Sequence, residues 1–416
     1  MFRSRIDSVS ARFAVRLSAA SAVLIAALCT PVPAYAERFM FLYETGDQYR
    51  MISTVDERVY FNGQYSHRAD ILNKISVRVT GVSEGSGTLS VLFQTSERSY
   101  GGTGLTYDWA EEYRSEFGRD RFGVYDIRPE YYMPVLRDVP VFPDRDLAPG
   151  DTWVGKAEEV HDLRRVFNIP EAFHIPITVT YEYLGPERFE GIQTDVFSVE
   201  YSLFYRPPRD LRRNPMYPVL IMGSSKQKLY WDREKGRPHY SVEEFDLVWE
   251  LASGDRIEYI GTADGKVIES PTMDKEGVAS ELRRALSESG VRDTEVTAVE
   301  NGVTITLENV RFQPDSAELT AEERGKLTRI GAILMRYPDR DILITGHTAL
   351  AGTPEGRMRL SLERAKAVGE YLLSIGVSSP ENLVVKGMGA EDPVMDNSTE
   401  AGRRMNRRVE ITILEN

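Results

Sequence analysis

The hydrophobic pattern of this chain has a strand period up to about residue 268 and includes helical periods after it, and this change divides the chain into two regions of different fold. Before it, segments such as 175–183 alternate apolar and polar side chains with period two, which is typical of strands with one buried face. After it, Val278, Leu282 and Leu286 recur at helical spacing. A strand pattern does not bury one face of a helix. We therefore predict a multi-domain α+β chain with a β-rich N-terminal region and a mixed C-terminal region.

Turn-forming residues interrupt the β-rich region and indicate how it is divided. Breakers such as Pro207-Pro208 separate the predicted strands, and Pro143 to Gly150 is a candidate boundary between domains. We predict antiparallel, sandwich-like domains over residues 37–145 and 146–267. The sequence also allows these two segments to form one domain.

The C-terminal region alternates strand and helix patterns. Residues 268–300 are predicted to be a linker with a helix and a strand that lead into the module. The pair Asn301-Gly302 is typical of a type I′ hairpin turn, and Thr320 to Glu323 matches a helix capping box. The alternation over residues 301–416 predicts a two-layer α/β domain, with one sheet covered by helices.

Residues 1–36 have the pattern of a secretory signal peptide. Basic residues precede the apolar run Leu17 to Leu28, and Ala34-Tyr35-Ala36 supplies a small-x-small cleavage site. A dozen or so apolar residues are too few to cross a ~30 Å hydrocarbon core. We therefore expect cleavage and no transmembrane segment afterwards, with lipidation of Cys29 as the alternative. The segment carries four Arg and one Asp, so its removal takes the formal net charge from −13 to −16, which argues against a nucleic-acid partner.

Five short motifs in the C-terminal region follow one another at the order and spacings of a known domain family. They are Phe312 to Leu319 with Asp315-Ser316, Gly346-His347-Thr348, Leu360 to Val368 with Arg364, Gly387-x-Gly389, and Asn406 to Glu410. On these residues the segment 301–416 resembles the OmpA-like (OmpA/MotB/Pal-type) peptidoglycan-associating domains. The set is specific, whereas any one of the motifs alone would be weak evidence.

The resemblance implies that the domain binds the diamino acid of the peptidoglycan stem peptide non-covalently. In the family, an Asp after the Gly-His-Thr strand contacts the ligand's ammonium, and an Arg of the following helix contacts its carboxylate. The matching positions are Ala349 and Arg364, so the cation is present and the anion is replaced. By the same resemblance, Thr348, Asp315 and Arg408 are further candidate ligand-binding residues.

The replacement at Ala349 leaves three interpretations open. The pocket takes a different diamino acid such as ornithine, or a neighbouring acid (Glu355, Glu363 or Asp315) substitutes for the missing Asp. Alternatively, the fold persists as a structural or interaction module with weakened or lost wall binding. Loss of a hydrogen bond to a charged group costs about 1.5–3 kcal/mol, so we expect altered recognition of diaminopimelate.

Each candidate also has a purely structural interpretation. Arg364 could pair with Glu363 or Glu370 on its helix surface, and Arg408 could pair with acids across the sheet. Asp315 could simply form a turn with Ser316. We expect His347 to be a structural residue at the end of a strand rather than a ligand.

Nothing in the sequence points to catalysis. There is no Gly-x-Ser-x-Gly motif or glycine-rich phosphate loop, and the histidines are scattered without metal-ligand spacing. We predict a periplasmic, non-catalytic envelope protein without cofactor or metal, associated with the cell wall or outer membrane. Its partners are expected to be the peptidoglycan stem peptide and, through the β-rich region, an unknown envelope protein. An interaction module without wall binding is the alternative, and a wall-active enzyme comes third.

Overall fold

A computed structural model describes residues 36–99, 105–208, 213–270, 272–308, 310 and 317–415. The predicted signal segment 1–36 lies outside the described residues except for its last residue. Within the described ranges, no helix is both long enough and apolar enough to span a bilayer.

The N-terminal region is built almost entirely of antiparallel strands. One short helix, α1 (Arg164–Phe167), interrupts them. The strands are β1 (Gln48–Phe61), β2 (Gln64–Ser83), β3 (Ser86–Ser99), β4 (Tyr107–Arg119), β5 (Tyr125–Asp126), β6 (Leu136–Arg137), β7 (Thr152–His161), β8 (Phe173–Phe189), β9 (Ile192–Tyr205), β10 (Pro218–Asp232), β11 (Arg237–Leu251) and β12 (Arg256–Glu269).

These strands form one continuous sheet in the order β6-β7-β8-β9-β10-β11-β12-β1-β2-β3-β4-β5. Because β1 pairs with β2 on one side and with β12 on the other, the predicted segments 37–145 and 146–267 share this sheet. The structure thus differs from the expected sandwich of two sheets. Period-two alternation reports that a strand has one buried face, and it is the same whether that face meets a second sheet or the inside of one rolled sheet.

The sheet rolls up around an aromatic core. Along β8 the side chains of Ile175, Ile177, Val179, Tyr181 and Tyr183 are buried and alternate with exposed neighbours, as the period predicted. The Tyr113 hydroxyl of β4 donates to Asp162, just after β7, at 2.8 Å, so the two long outer strands approach each other. The core they enclose is rich in edge-on ring contacts, among them those of Phe39, Phe142, Phe197 and Trp231.

The C-terminal region is a five-stranded sheet with helices packed on it. The helices are α2 (Lys275–Glu288), α3 (Ala321–Leu334), α4 (Pro354–Ser374) and α5 (Glu400–Asn406), with a 3-10 turn at Pro380–Asn382. The strands are β13 (Thr294–Val299), β14 (Gly302–Glu308), β15 (Ile342–Gly346), β16 (Leu383–Gly387) and β17 (Arg408–Leu414), in the order β13-β14-β17-β15-β16. Only β15 and β16 among these pairs run parallel.

Two local sequence signals in this region can be compared with the structure, and one of them is matched. The Thr320 hydroxyl accepts from the Glu323 amide, which confirms the predicted cap at the start of α3. A hairpin does form around Asn301-Gly302, but Gly302 already pairs with Val299 as the first residue of β14, so the two turn residues are Glu300 and Asn301. Neither has a positive φ, so the predicted type I′ turn at Asn301-Gly302 is wrong, although the hairpin is present. Leu282 of α2 and Val296 of β13 belong to the same core as the later elements. The packed unit therefore begins before residue 301, because the helix in the predicted linker buries its apolar stripe there.

The two regions are joined through β4 and β16. These strands pair in parallel at Tyr107 and Val384, which bury an apolar cluster with Leu72. Beside it, Lys366 of α4 forms an ion pair with Asp108 at 2.7 Å.

A buried ion cluster lies at the same junction. Arg50 and Lys74, on the outer face of the rolled sheet, both meet the Asp341 carboxylate, Lys74 through its Nζ at 2.8 Å. None of the three side chains is more than 5% exposed. Burial lowers the pKa of Lys74 to about 8; Asp341 raises it and Arg50 lowers it further.

Inside the rolled sheet, Glu57 should make stability depend on pH. Burial, and then the nearby Glu97, raise the pKa of Glu57 to about 7. The folded state therefore holds a proton that the unfolded chain releases near pH 4.5. The free energy of unfolding accordingly falls as the pH rises from about 4.5 to about 7, where Glu57 of the folded protein has also lost its proton. We expect Glu57→Gln to raise the free energy of unfolding by about 1–3 kcal/mol at pH 8 and to leave it unchanged at pH 4. Urea titrations at both pH values measure this, with the exposed Glu244→Gln as the matched control. An equal effect at both pH values would contradict the assignment.

Candidate functional site

The parallel strands β15 and β16 end at the same edge of the C-terminal sheet, where the crevices of such sheets usually lie. The first turns of α4 pack directly on this edge. A Cβ on Gly346 would stand 2.1 Å from the Ser361 carbonyl, and one on Gly387 would stand 2.8 Å from the Ser361 hydroxyl. Glycine at both strand ends is therefore required for the helix to approach this closely.

Hydrogen bonds tie the loops after β15 and β16 to α4. The Thr348 amide donates to the Gly389 carbonyl at 2.7 Å, and the Gly389 amide donates to the Ser361 hydroxyl at 2.9 Å. The Asn397 side chain accepts from the Leu350 amide at 3.0 Å. The backbone on either side of Ala349 is thus held in place.

Thr348 and Ala349 point into a closely packed environment. Each is 6% exposed. Among the residues that the structure describes, the Thr348 hydroxyl is a buried polar group with no hydrogen-bond partner. Such a group costs free energy unless something binds it. Ala349 offers neither charge nor acceptor at the position where the resemblance expects an Asp.

Arg364 lies on the same helix, three residues after Ser361. Residues three apart are neighbours on one helix face, so Ser361 and Arg364 share the side of α4 near Thr348. The Arg364 side chain is half-buried. Glu363, one of the acids considered as its partner, is exposed and lies 3.7 Å from Arg359 instead. Glu355 is exposed in the first turn of α4.

Arg408, at the start of β17, is placed with acidic neighbours. Its guanidinium donates to Glu410 at 2.7 Å and to the side chain of Asp392 at 3.2 Å, and the residue is 2% exposed. The His347 Nε2 lies 3.6 Å from Glu410, and His347 is buried. Burial raises the pKa of Glu410, but His347 and Arg408 outweigh it and lower that pKa to about 2. This carboxylate therefore stays ionised and pairs with Arg408.

A further cation, Arg357, lies at the mouth of the site. Its Nη1 donates to the Gly352 carbonyl at 2.6 Å, and a Cβ on Gly389 would stand 3.6 Å from its own Cβ. The position of Arg357 beside Gly389 was not apparent from the sequence. Arg357 and Arg364 are both cations on α4, whereas Ala349 is neutral.

Asp315 lies outside the described residues, so its place relative to Arg364 stays a prediction. Among the described residues, no group of three or more His, Cys, Asp or Glu side chains is arranged to hold a metal ion. Ser361 and Asn397 were not identified from the sequence as site residues. Ser361 lies within the family motif from Leu360 to Val368, which could have pointed to it. Asn397 lies in none of the motifs, so the sequence contained no signal for it.

Comparison with known proteins identifies the C-terminal domain. Residues 311–407 match the OmpA family, so the chain carries an OmpA family domain at its C-terminus. The probable lipoprotein YiaD of Escherichia coli is 33% identical over 140 residues, which cover 33% of this chain and 64% of that protein. The peptidoglycan-binding protein ArfA of Mycobacterium tuberculosis is 35% identical over 104 residues, 25% of this chain and 32% of that protein. The chain thus spans less than two thirds of either relative.

Solved structures also match part of this chain. One is the cell wall anchor of the T6SS from Pseudomonas aeruginosa, with 27% identity and a TM-score of 0.29 over 32% of this chain and 96% of that one. Another is the peptidoglycan-associated lipoprotein from Burkholderia pseudomallei, with 30% identity and a TM-score of 0.24 over 25% of this chain and 88% of that one.

Proposed function

Starting from the OmpA family domain at the C-terminus, we propose that this chain is an exported, non-catalytic envelope protein that associates with peptidoglycan. The observation that carries the proposal is the buried Thr348 hydroxyl, which has no hydrogen-bond partner among the described residues and follows β15 at the carboxyl ends of β15 and β16. The family motif adds Arg364 on α4 to this site. The relatives named as a probable lipoprotein and as a peptidoglycan-binding protein support a location in the cell envelope.

In this proposal the ligand is the diamino acid of the stem peptide. Arg364 receives its carboxylate, since a planar guanidinium meets a carboxylate through two parallel hydrogen bonds. The Thr348 hydroxyl donates to the same group and so gains the partner it lacks among the described residues. Arg408 acts as a positioning residue, because its guanidinium is paired with Glu410 and Asp392 and its backbone carbonyl accepts from the His347 amide, next to Thr348. Asp315 is the remaining candidate for direct contact.

The anion that would pair with the ligand's ammonium is not assigned to a residue. Ala349 supplies no anion, Glu363 is engaged with Arg359, and Glu355 lies on the exposed first turn of α4. We therefore propose that recognition rests on the carboxylate. A stem peptide with a different diamino acid, such as ornithine, is one form of this proposal, and substitution by Glu355 or Asp315 is another.

Ala349 also favours a second candidate function. A domain that keeps the frame and loses the anion could serve as a structural or interaction module with weak or no wall binding. In both cases we propose that the β-rich region contacts an envelope protein.

Sedimentation with purified sacculi of the source organism tests the proposal. The full chain without residues 1–36 is expected to pellet with sacculi, and Arg364→Ala to weaken that association about ten-fold or more, because a charge-assisted pair is lost. Arg359→Ala is the matched control, since Arg359 is 79% exposed on the same helix. Thermal unfolding checks that both variants fold.

Failure of the unmodified chain to pellet would contradict the proposed association with peptidoglycan and would favour the interaction module. Equal pelleting by the Arg364→Ala and Arg359→Ala variants would remove Arg364 from the site.

A further inference from the structure

The rolled N-terminal sheet encloses a cavity of about 350 Å³. Strands β1 to β4 form one side and β10 to β12 the other, and residues of the segment 133–140 also line it. Its middle section is apolar, lined by Met51, Ile75, Val91, Phe93, Phe117 and Val267. The volume falls within the range of about 300–1,000 Å³ typical of small-molecule sites.

Arg119, at the end of β4, lines one end of this cavity. Its Nε donates to the Tyr43 hydroxyl at 2.8 Å, and its Nη2 donates to the Tyr49 hydroxyl at 3.5 Å. The guanidinium carbon stands 3.9 Å from the centre of the Phe41 ring. Across the described part of the chain, no carboxylate lies within 4.0 Å of this guanidinium. Phenol hydroxyls and ring faces are its neighbours.

This cation keeps its charge. Burial lowers the pKa of Arg119, but Tyr125, Tyr49 and Tyr43 raise it by more. A charged group inside an apolar cavity is costly unless an opposite charge meets it. The chain supplies ring faces, which attract a cation more weakly than a carboxylate does. The guanidinium thus has capacity for an anion.

The opposite end of the cavity is acidic. Glu243 and Asp264 line it, and Glu243 accepts from the Ser225 hydroxyl at 2.5 Å. The two ends are separated by six residues of β1: Tyr49 stands next to Arg119, and Val55 pairs with Ala263, which pairs with Glu243. At ~3.3 Å per residue the separation is roughly 20 Å. A ligand with one anion fits in one direction only.

We propose that the N-terminal cavity binds a single-chain anionic amphiphile. Its head group pairs with Arg119, and its alkyl chain runs along Val91 and Phe93 toward Val267. The acidic end repels a second anion and so selects against dicarboxylates. This site is separate from the C-terminal site and does not depend on peptidoglycan binding.

Calorimetry with the full chain without residues 1–36 tests this, using dodecanoate below its micelle concentration. Dodecanoate and dodecyl phosphate are expected to bind. Dodecanol is expected to bind about ten-fold more weakly or worse, because it lacks the charge that Arg119 requires, and dodecylamine most weakly. Arg119→Gln should weaken dodecanoate binding about ten-fold or more and leave dodecanol binding unchanged. Met51→Trp, which fills the middle section, should abolish both.

The controls separate a site from a folding defect. Arg114→Gln changes a 64% exposed Arg of the same strand and should bind like the unmodified chain. Arg119→Lys keeps the charge and should retain part of the affinity if Arg119→Gln does not fold. Equal binding of dodecylamine and dodecanoate, or no effect of Arg119→Gln, would overturn the proposal. Binding to phosphatidylglycerol vesicles without binding of free dodecanoate would also overturn it, in favour of surface attraction.

Discussion

Replacing Asp341 with Ala is expected to destabilise the protein by about 3–5 kcal/mol, because it leaves two cations buried without an anion. Arg50 and Lys74 both meet this carboxylate between the N-terminal sheet and the C-terminal domain. The pKa of Lys74 is already lowered to about 8, and losing the carboxylate would lower it further. Lys74 then sheds its proton at lower pH, so the destabilisation should shrink as the pH rises. Urea unfolding at pH 6 and pH 9 measures both effects.

Asp339→Ala is the matched control, since Asp339 lies two residues away and is exposed. A combined Arg50→Met, Lys74→Met and Asp341→Leu variant should recover most of the lost stability, because apolar side chains of similar size often replace buried ions without cost. If Asp341→Ala behaved like Asp339→Ala, the two regions would not be coupled through this cluster.

The sequence predicted single strands better than their partners. Buried and exposed side chains alternate along β8 as the period required. The pairing of β1 with β12 joins opposite ends of the N-terminal region, and no local pattern reports such a contact. Lys74 reads as a solvent-facing residue of an alternating strand. Its burial follows from the C-terminal domain on that face, which only the tertiary structure provides.

The candidate sites show the same division. The spacing of the family motifs marks Thr348, Ala349 and Arg364 as candidates, and their part in binding stays a prediction. The sequence did not mark Arg119 as a site residue, because a lone Arg at the end of a strand usually faces water. Its neighbours Tyr43 and Tyr49 come from the start of the chain, so the aromatic end of the cavity exists only after the sheet has rolled up.

Ala349→Asp is the second change with a large expected effect, here on binding. It places a carboxylate in the tethered loop beside Thr348, on the side of the site that would face the ligand's ammonium. A hydrogen bond to a charged group contributes about 1.5–3 kcal/mol, so we expect affinity for a diaminopimelate-containing stem peptide to rise about ten-fold to more than a hundred-fold. Calorimetry with the purified peptide measures this.

The gain should depend on charge and on the other half of the site. The Asn side chain of Ala349→Asn has nearly the same shape as Asp without the charge, so this variant should gain less affinity. Ala349→Asp combined with Arg364→Ala should lose most of the gain in affinity, because each of the two contacts orients the ligand for the other. Since Ala349 is buried, each variant is first compared with the unmodified chain by thermal unfolding. A folded Ala349→Asp variant with unchanged affinity would mean that the pocket has been remodelled beyond this one position. Ala at position 349 would then accompany a change of ligand or a loss of wall binding. Arg364 would in that case be part of the family's motif without binding the ligand's carboxylate.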